Sequence, residues 1–251
     1  RALIRSIALL STLTFASAQN LDRLPRFPGG ADSAPPPPSP TLARRNLILM
    51  IGDGMGVAQR TAARLMTVGS EGRTEIDRLP GLCLVTTWSA DAMTTDSAAS
   101  ATAYACGVKT NNTALGLDRT GNPTPSILEL AQQAGYATGL VATSDLTDAT
   151  PAAFYAHTGS RVEWWEILDQ LLRVAPDLLL GGGWSAWIAD GVDLDGDGRS
   201  DSRRHALPSA AERERSPLGL ARAGGYRIVL THDELTRAGN EEGKLIGLFA
   251  P

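Results

Sequence analysis

Short apolar runs recur along the chain at 46–51, 81–88, 137–143, 177–180, 226–230 and 245–249. Continuous rather than alternating hydrophobicity over four to eight residues is the mark of strands buried on both faces. Between them, 57–67, 97–106, 125–134, 162–173 and 206–223 carry helical patterning, with Gly107 and Gly135 placed to end two of these helices. Strands alternating with helices predict an α/β fold, a three-layer α/β/α sandwich with a largely parallel sheet. In such sheets ligands bind beyond the carboxyl ends of the strands. Asp53 directly follows one predicted strand, and Asp148 and Thr150 follow another after a short loop, so distant parts of the chain can meet at one edge.

Composition adds little to the fold and more to its context. At 251 residues, with 43% apolar and 20% charged residues, the chain has the make-up of a globular protein with one sizeable core. Residues 1–18 carry Arg1 and Arg5, then an apolar stretch over 7–15, then Ala16-Ser17-Ala18, the pattern of a secretory signal peptide. Ser11, Thr12 and Thr14 interrupt that stretch, which is too short for a membrane span. Residues 19–41 form a Pro-rich linker, since seven of the fifteen prolines lie between 25 and 40 and such a segment cannot join a packed core. The folded domain is expected over 42–251. Without residues 1–18 the charge is 21 minus 27, or −6, which removes any electrostatic case for binding nucleic acid. The two cysteines, Cys83 and Cys106, are expected as free, compact apolar filler rather than as a disulfide.

Two segments carry chemistry. From Thr94 to Thr110 a serine, Ser97, stands where a loop turns into a helix made almost entirely of small residues. The partial positive charge and N–H groups of a helix start stabilise an anion, and alanine-sized side chains let other elements approach the hydroxyl. Standing alone, such a serine is only a helix cap. The run 46–51 ends in Gly52-Asp53-Gly54-Met55-Gly56, a carboxylate between glycines at a strand end. It lacks dinucleotide-binding spacing, because Val57 occupies the place of the third glycine. Together the segments predict a metal-activated serine nucleophile. Two further motifs stay open. Asp193, Asp195, Asp197 and Asp201 with Gly198 match much of a calcium loop, yet Arg204 stands where the bidentate acid belongs, so the segment is either a weak calcium site or a solvated acidic turn. Asn111-Asn112-Thr113 has the form of a glycosylation acceptor without any supporting feature.

Ile51-Gly52-Asp53-Gly54-Met55-Gly56 resembles the first metal-binding motif of the alkaline phosphatases, and Thr95 to Thr110, with Asp-Ser-Ala-Ala-Ser-Ala-Thr-Ala, resembles their nucleophile motif. Thr143 to Arg161 is similar to the run that supplies magnesium-site groups and, thirteen positions after Asp148, the phosphate-binding arginine. The resemblance implies hydrolysis of small phosphate monoesters at alkaline pH through a phosphoserine on Ser97, with zinc and magnesium as cofactors. It implies that Asp53 bridges a zinc and the magnesium, that Ser97 meets the metal, that Thr150 ligates magnesium and that Asp148 reaches it through water. Arg161 is then the phosphate clamp and Asp96 the residue that orients it. His157, His205 and His232 match no ligand position, so His157 is expected to be structural and the other two to lie on the surface. The family's remaining ligands come from a second half that would follow 244–251, so the chain resembles the N-terminal half of such an enzyme, incomplete at its C-terminus and inactive by itself. The resemblance also implies a secreted or periplasmic protein that forms a homodimer when complete. Two alternatives stand beside this reading: a non-catalytic phosphate- or metal-binding fragment, and a sulfatase or phosphodiesterase relative of the same architecture.

Overall fold

The structure, a computed structural model, describes residues 46–250 apart from 82, 194–197, 208, 215 and 240, and describes only the backbone of 205, 206, 212 and 213. The expected signal peptide and linker lie outside the described residues. The chain divides into two compact units, Arg1–Thr86 and Thr87–Pro251.

In the first unit, helix α1 (Val57–Val68) follows the glycine-rich turn and a 3-10 turn spans Ile76–Arg78. Arg60 reaches Asp77 at 2.6 Å, and hydrogen bonds from the Thr74 hydroxyl and N–H hold the Asp77 carboxyl below the usual carboxylate range. The strands expected at 46–51 and 81–88 do not form: their described residues belong to no ladder, and Ile48, Met50 and Leu84 are 84%, 90% and 88% exposed. An apolar run encodes a demand for burial. A strand is completed only by the N–H and C=O groups of a neighbour, and none pairs with these runs among the described residues.

The second unit contains α2 (Ser97–Cys106), α3 (Ile127–Gln133), β1 (Gly139–Asp145), α4 (Ala149–Ala152), α5 (Trp164–Val174), β2 (Leu178–Gly182), α6 (Ala210–Glu214), α7 (Pro217–Ala223), β3 (Tyr226–Val229), α8 (His232–Ala238) and β4 (Lys244–Leu248), with 3-10 turns at Trp184–Ala186 and Arg203–Ala206. The expected α/β fold is observed. The described strands form one wholly parallel sheet in the order β1-β2-β4-β3, with Leu178 paired to Gly139 and Leu245, and Tyr226 paired to Lys244. β2 and β4 have neighbours on both sides, and Leu179, Ile246 and Leu248 are 2% exposed or less. Among the described residues β1 pairs on one side only, and its Val141 is 71% exposed. On α5, Ile167, Leu168 and Leu171 share one face and are fully buried, each stabilising the fold by about 2 kcal/mol.

The helix expected over 206–223 is broken into the 3-10 turn, α6 and α7, because Pro217 has no N–H to continue a preceding helix and instead opens a new one, capped by the Ser216 hydroxyl accepting from the Gly219 N–H. The helix α8 has no counterpart among the expected elements. Its start is a capping box between Thr231 and Glu234, a local signal that outweighs its short, weakly apolar sequence. None of the helices among the described residues is long and apolar enough to cross a membrane.

Cys83 is an exposed free thiol and Cys106, at the end of α2, is a partly buried one. Burial, with a smaller push from the Glu129 carboxylate, raises the Cys106 thiol from 9.0 to about 11. The native state therefore keeps a proton that the unfolded chain loses near pH 9, so this contribution to stability is complete below that pH and declines as pH rises through about 11. Burial also raises the phenols of Tyr155 and Tyr226, which adds to the same trend. Thermal midpoints measured from pH 8 to pH 11 are expected to fall, and the Cys106→Ala variant to lose less over that interval than the parent.

Candidate active site

Helix α2 forms where expected because Asp96 caps it: its Oδ1 accepts the Ala99 N–H at 2.9 Å, and Gly107 ends the helix with φ +72. Ser97 is thus the first helical residue, at the positive end of a ten-residue helix. Ala98, Ala99, Ala101 and Ala105 are buried, and this small-residue face packs against α4, whose Ala149 and Ala152 are fully buried. Close approach of two backbones is what the alanines permit. It carries the head of α4, with Asp148 as its cap and Thr150 in its first turn, to the helix that carries Ser97.

Arg161 ties the two helix starts together. Its Nη2 lies 2.8 Å from Asp148 Oδ1 and its Nη1 lies 3.6 Å from Asp96 Oδ2, with the guanidinium 28% exposed. The loop that delivers it is itself anchored. Leu115 and Thr158 exchange two backbone hydrogen bonds, the Arg161 N–H donates to the Thr113 carbonyl at 2.8 Å, and the Thr158 hydroxyl donates to Glu163 at 2.6 Å. Gly116 lies in the crossing segment with φ +61; a Cβ there would stand 2.3 Å from the Ala156 carbonyl oxygen, so only glycine lets the two segments meet. Beneath Asp148, the buried Tyr155 hydroxyl donates to the Leu146 carbonyl at 2.6 Å. Burial, and secondarily the Asp148 charge, hold its phenol well above the ordinary value.

Of the expected site residues, Asp96, Ser97, Asp148, Thr150 and Arg161 therefore lie on connected elements of the second unit. Asp53 belongs to the first unit, in the turn that precedes α1, where Met55 N–H bonds Gly52 O at 3.2 Å and Gly54 has φ +67. Asp195 and Asp197 of the acidic run lie outside the described residues; of the rest, Asp193 Oδ2 accepts the Gly198 N–H at 2.8 Å. His157 sits within hydrogen-bond range of two acceptors, Nδ1 at 2.8 Å from the Gly116 carbonyl and Nε2 at 3.1 Å from Glu129, and so links the loop before Arg161 to α3. His232 opens α8 in an exposed position, and the His205 side chain lies outside the described residues. Asn112 and Thr113, noted in the sequence only as part of a glycosylation-like tripeptide, hold Asp96 in place. The Asn112 Oδ1 accepts the Asp96 N–H and the Thr113 N–H donates to Asp96 Oδ2, both at 3.0 Å. A short polar tripeptide marks a loop and not the partners that loop will meet.

A Lys109 ammonium lies 3.8 Å above the Trp88 ring and donates to the Trp88 carbonyl, closing the loop that leads into this region. Arg203 stacks 4.4 Å above the Trp164 ring and donates to Asp145 at 2.5 Å and Thr147 at 2.9 Å, fastening the segment between β2 and β3 to the loop that precedes Asp148.

Known proteins resemble this chain in sequence and in fold. The chain is 36% identical over 232 residues to the streptomycin-6-phosphate phosphatase of Streptomyces griseus, an alignment covering 82% of this chain and 48% of that protein. Its fold is similar to the cold-active alkaline phosphatase of Shewanella sp., with a TM-score of 0.64 and 30% identity over 80% of this chain and 44% of that one. It is also similar to a variant of the alkaline phosphatase of the Antarctic bacterium TAB5 that carries bound Mg, with a TM-score of 0.62 and 28% identity over 79% of this chain and 50% of that one. The chain spans about half the length of the curated relatives it matches. Residues 44–251 match the model of the alkaline phosphatase family, and the chain belongs to that family.

Proposed function

We propose that the protein hydrolyses small phosphate monoesters through a phosphoserine at Ser97. The observation that carries this reading is the guanidinium of Arg161 held between Asp96, which directly precedes Ser97, and Asp148, which heads the neighbouring helix. A guanidinium has five donors, more than those two carboxylates engage, and its planar fork suits two phosphoryl oxygens. The Ser97 oxygen attacks phosphorus, the bond from phosphorus to the alcohol oxygen breaks, and the alcohol departs with a proton. Water then attacks the phosphoserine, releasing inorganic phosphate and restoring the Ser97 hydroxyl. Arg161 and the positive end of α2 balance the phosphoryl charge in both steps.

The residues fit a hard divalent cation such as magnesium: Asp148 and Thr150 present oxygen donors in one helical turn, with the Asp148 side chain 38% exposed. Such an ion, when bound, lowers the proton affinity of a hydroxyl and screens phosphoryl charge. From its sequence motif, we propose Asp53 as a further metal-ligating carboxylate. No three His, Cys, Asp or Glu side chains converge among the described residues, and Asp148 and Thr150 offer oxygen where zinc sites favour nitrogen and sulfur donors. The reading includes export, as a secreted or periplasmic protein, and a homodimer.

The test is hydrolysis of an aryl phosphate by the full-length protein before and after chelation, with an acid quench to trap labelled phosphoserine. Turnover that the chelator abolishes and added Mg2+ restores, with label on Ser97, is the expected result. Phosphate binding without turnover or label would instead establish the non-catalytic reading, and preference for sulfate esters or diesters would establish the sulfatase or phosphodiesterase one.

A further inference from the structure

Thr113 is a strained residue beside the proposed clamp. It has φ +71, and it and Ala175, with φ 49 at the end of α5, are the non-glycine residues with positive φ among those described. A β-branched side chain crowds the left-handed backbone more than alanine does, so this conformation persists only where surrounding contacts over-determine it. Here those contacts run to both members of one ion pair. The Thr113 N–H donates to Asp96 Oδ2 at 3.0 Å, its carbonyl accepts the Arg161 N–H at 2.8 Å, and its hydroxyl donates to the Gly159 carbonyl at 3.3 Å, two residues before Arg161. The preceding residue is pinned as well: the Asn112 N–H donates to Asp91 at 2.9 Å, and its Nδ2 donates to the Thr94 carbonyl at 3.0 Å.

We propose that Thr113 is a positioning residue that keeps Arg161 in register with Asp96, its hydroxyl tethering the arginine's loop at the expense of a strained backbone. The inference rests on the reading of Arg161 as the phosphate clamp. Glycine at this position would accept φ +71 without strain and retain the N–H and carbonyl bonds; what it cannot supply is the hydroxyl. Strain relief and loss of the tether therefore act in opposite directions, which makes the role measurable.

The test compares Thr113→Gly and Thr113→Ser with the parent in the full-length protein, by thermal midpoint, by calorimetric affinity for inorganic phosphate and by amide hydrogen exchange over 158–161. In Thr113→Gly the midpoint is expected to rise by about 1–3 °C, while phosphate affinity weakens about 3- to 10-fold and exchange at the Arg161 amide quickens. In Thr113→Ser, which keeps the hydroxyl, affinity is expected to stay within about twofold of the parent. A residue that served folding alone would move stability and affinity together or leave affinity unchanged. Unchanged affinity and unchanged exchange in Thr113→Gly would overturn the proposal, as would a fall in its midpoint. Failure of the clamp reading gives a different pattern, in which Arg161→Ala binds phosphate as the parent does; the exchange measurement needs no phosphate and decides the tether in that case too.

Discussion

Ser97→Ala is expected to lower turnover of a phosphate monoester by about 10⁴-fold or more, because it deletes the atom that bonds to phosphorus, and loss of a covalent nucleophile is among the largest single-residue effects in catalysis. The fold should hardly notice. Asp96, not Ser97, makes the capping bond of α2, and alanine is a favourable residue in a first helical turn. The thermal midpoint is expected within about 2 °C of the parent. Acid-quenched protein incubated with labelled substrate should carry label in the parent and none in the variant. Full turnover by a correctly folded Ser97→Ala protein would remove the nucleophile from the mechanism and leave direct attack by water in its place.

The second large effect is expected from Arg161→Ala, with a fall of about 10²- to 10³-fold in kcat/KM, corresponding to about 3–4 kcal/mol for a pair of charge-assisted hydrogen bonds to phosphoryl oxygens. Inorganic phosphate should inhibit the variant far more weakly than the parent. Stability is again nearly indifferent: Asp96, Asp148 and Arg161 are each roughly a quarter to two-fifths exposed, and solvent screening limits such ion pairs to at most about 1 kcal/mol. Arg161→Lys separates charge from shape. A point charge restores attraction to phosphate without the planar fork, so partial recovery of affinity with little recovery of kcat is the expected outcome. An Arg161→Ala variant with unchanged phosphate inhibition would sink the clamp assignment while leaving Ser97 untouched.

Cys106 and the two buried tyrosines all hold protons more tightly when folded, so the folded state loses ground as the solution becomes more alkaline.

Local signals were the most legible. Helix α2 begins at Ser97 and ends at Cys106 as expected, because its start and stop are written in Asp96 and Gly107, residues that act on neighbours within one turn. The runs at 177–180, 226–230 and 245–249 became strands of one parallel sheet because each is apolar enough to need burial on both faces. The same signal at 46–51 and 81–88 yielded no ladder, since hydrophobicity states that a segment seeks a partner without naming one. Likewise Pro217 split an expected long helix by a rule readable in the sequence but outweighed there by apolar spacing.

The amino-acid order by itself determined the chemical inventory of the site: a serine at a helix start, carboxylates at the heads of two helices, and an arginine thirteen residues beyond one of them. These are consequences of residue type and short-range spacing. Only the tertiary structure decided that Arg161 lies between Asp96 and Asp148, that Gly116 lets two segments cross, and that Thr113 is forced into a left-handed backbone where it touches both partners of the clamp. Contacts between residues 13 to 65 positions apart arise from packing, in which alanine faces set how near two helices come, and no local propensity encodes that distance.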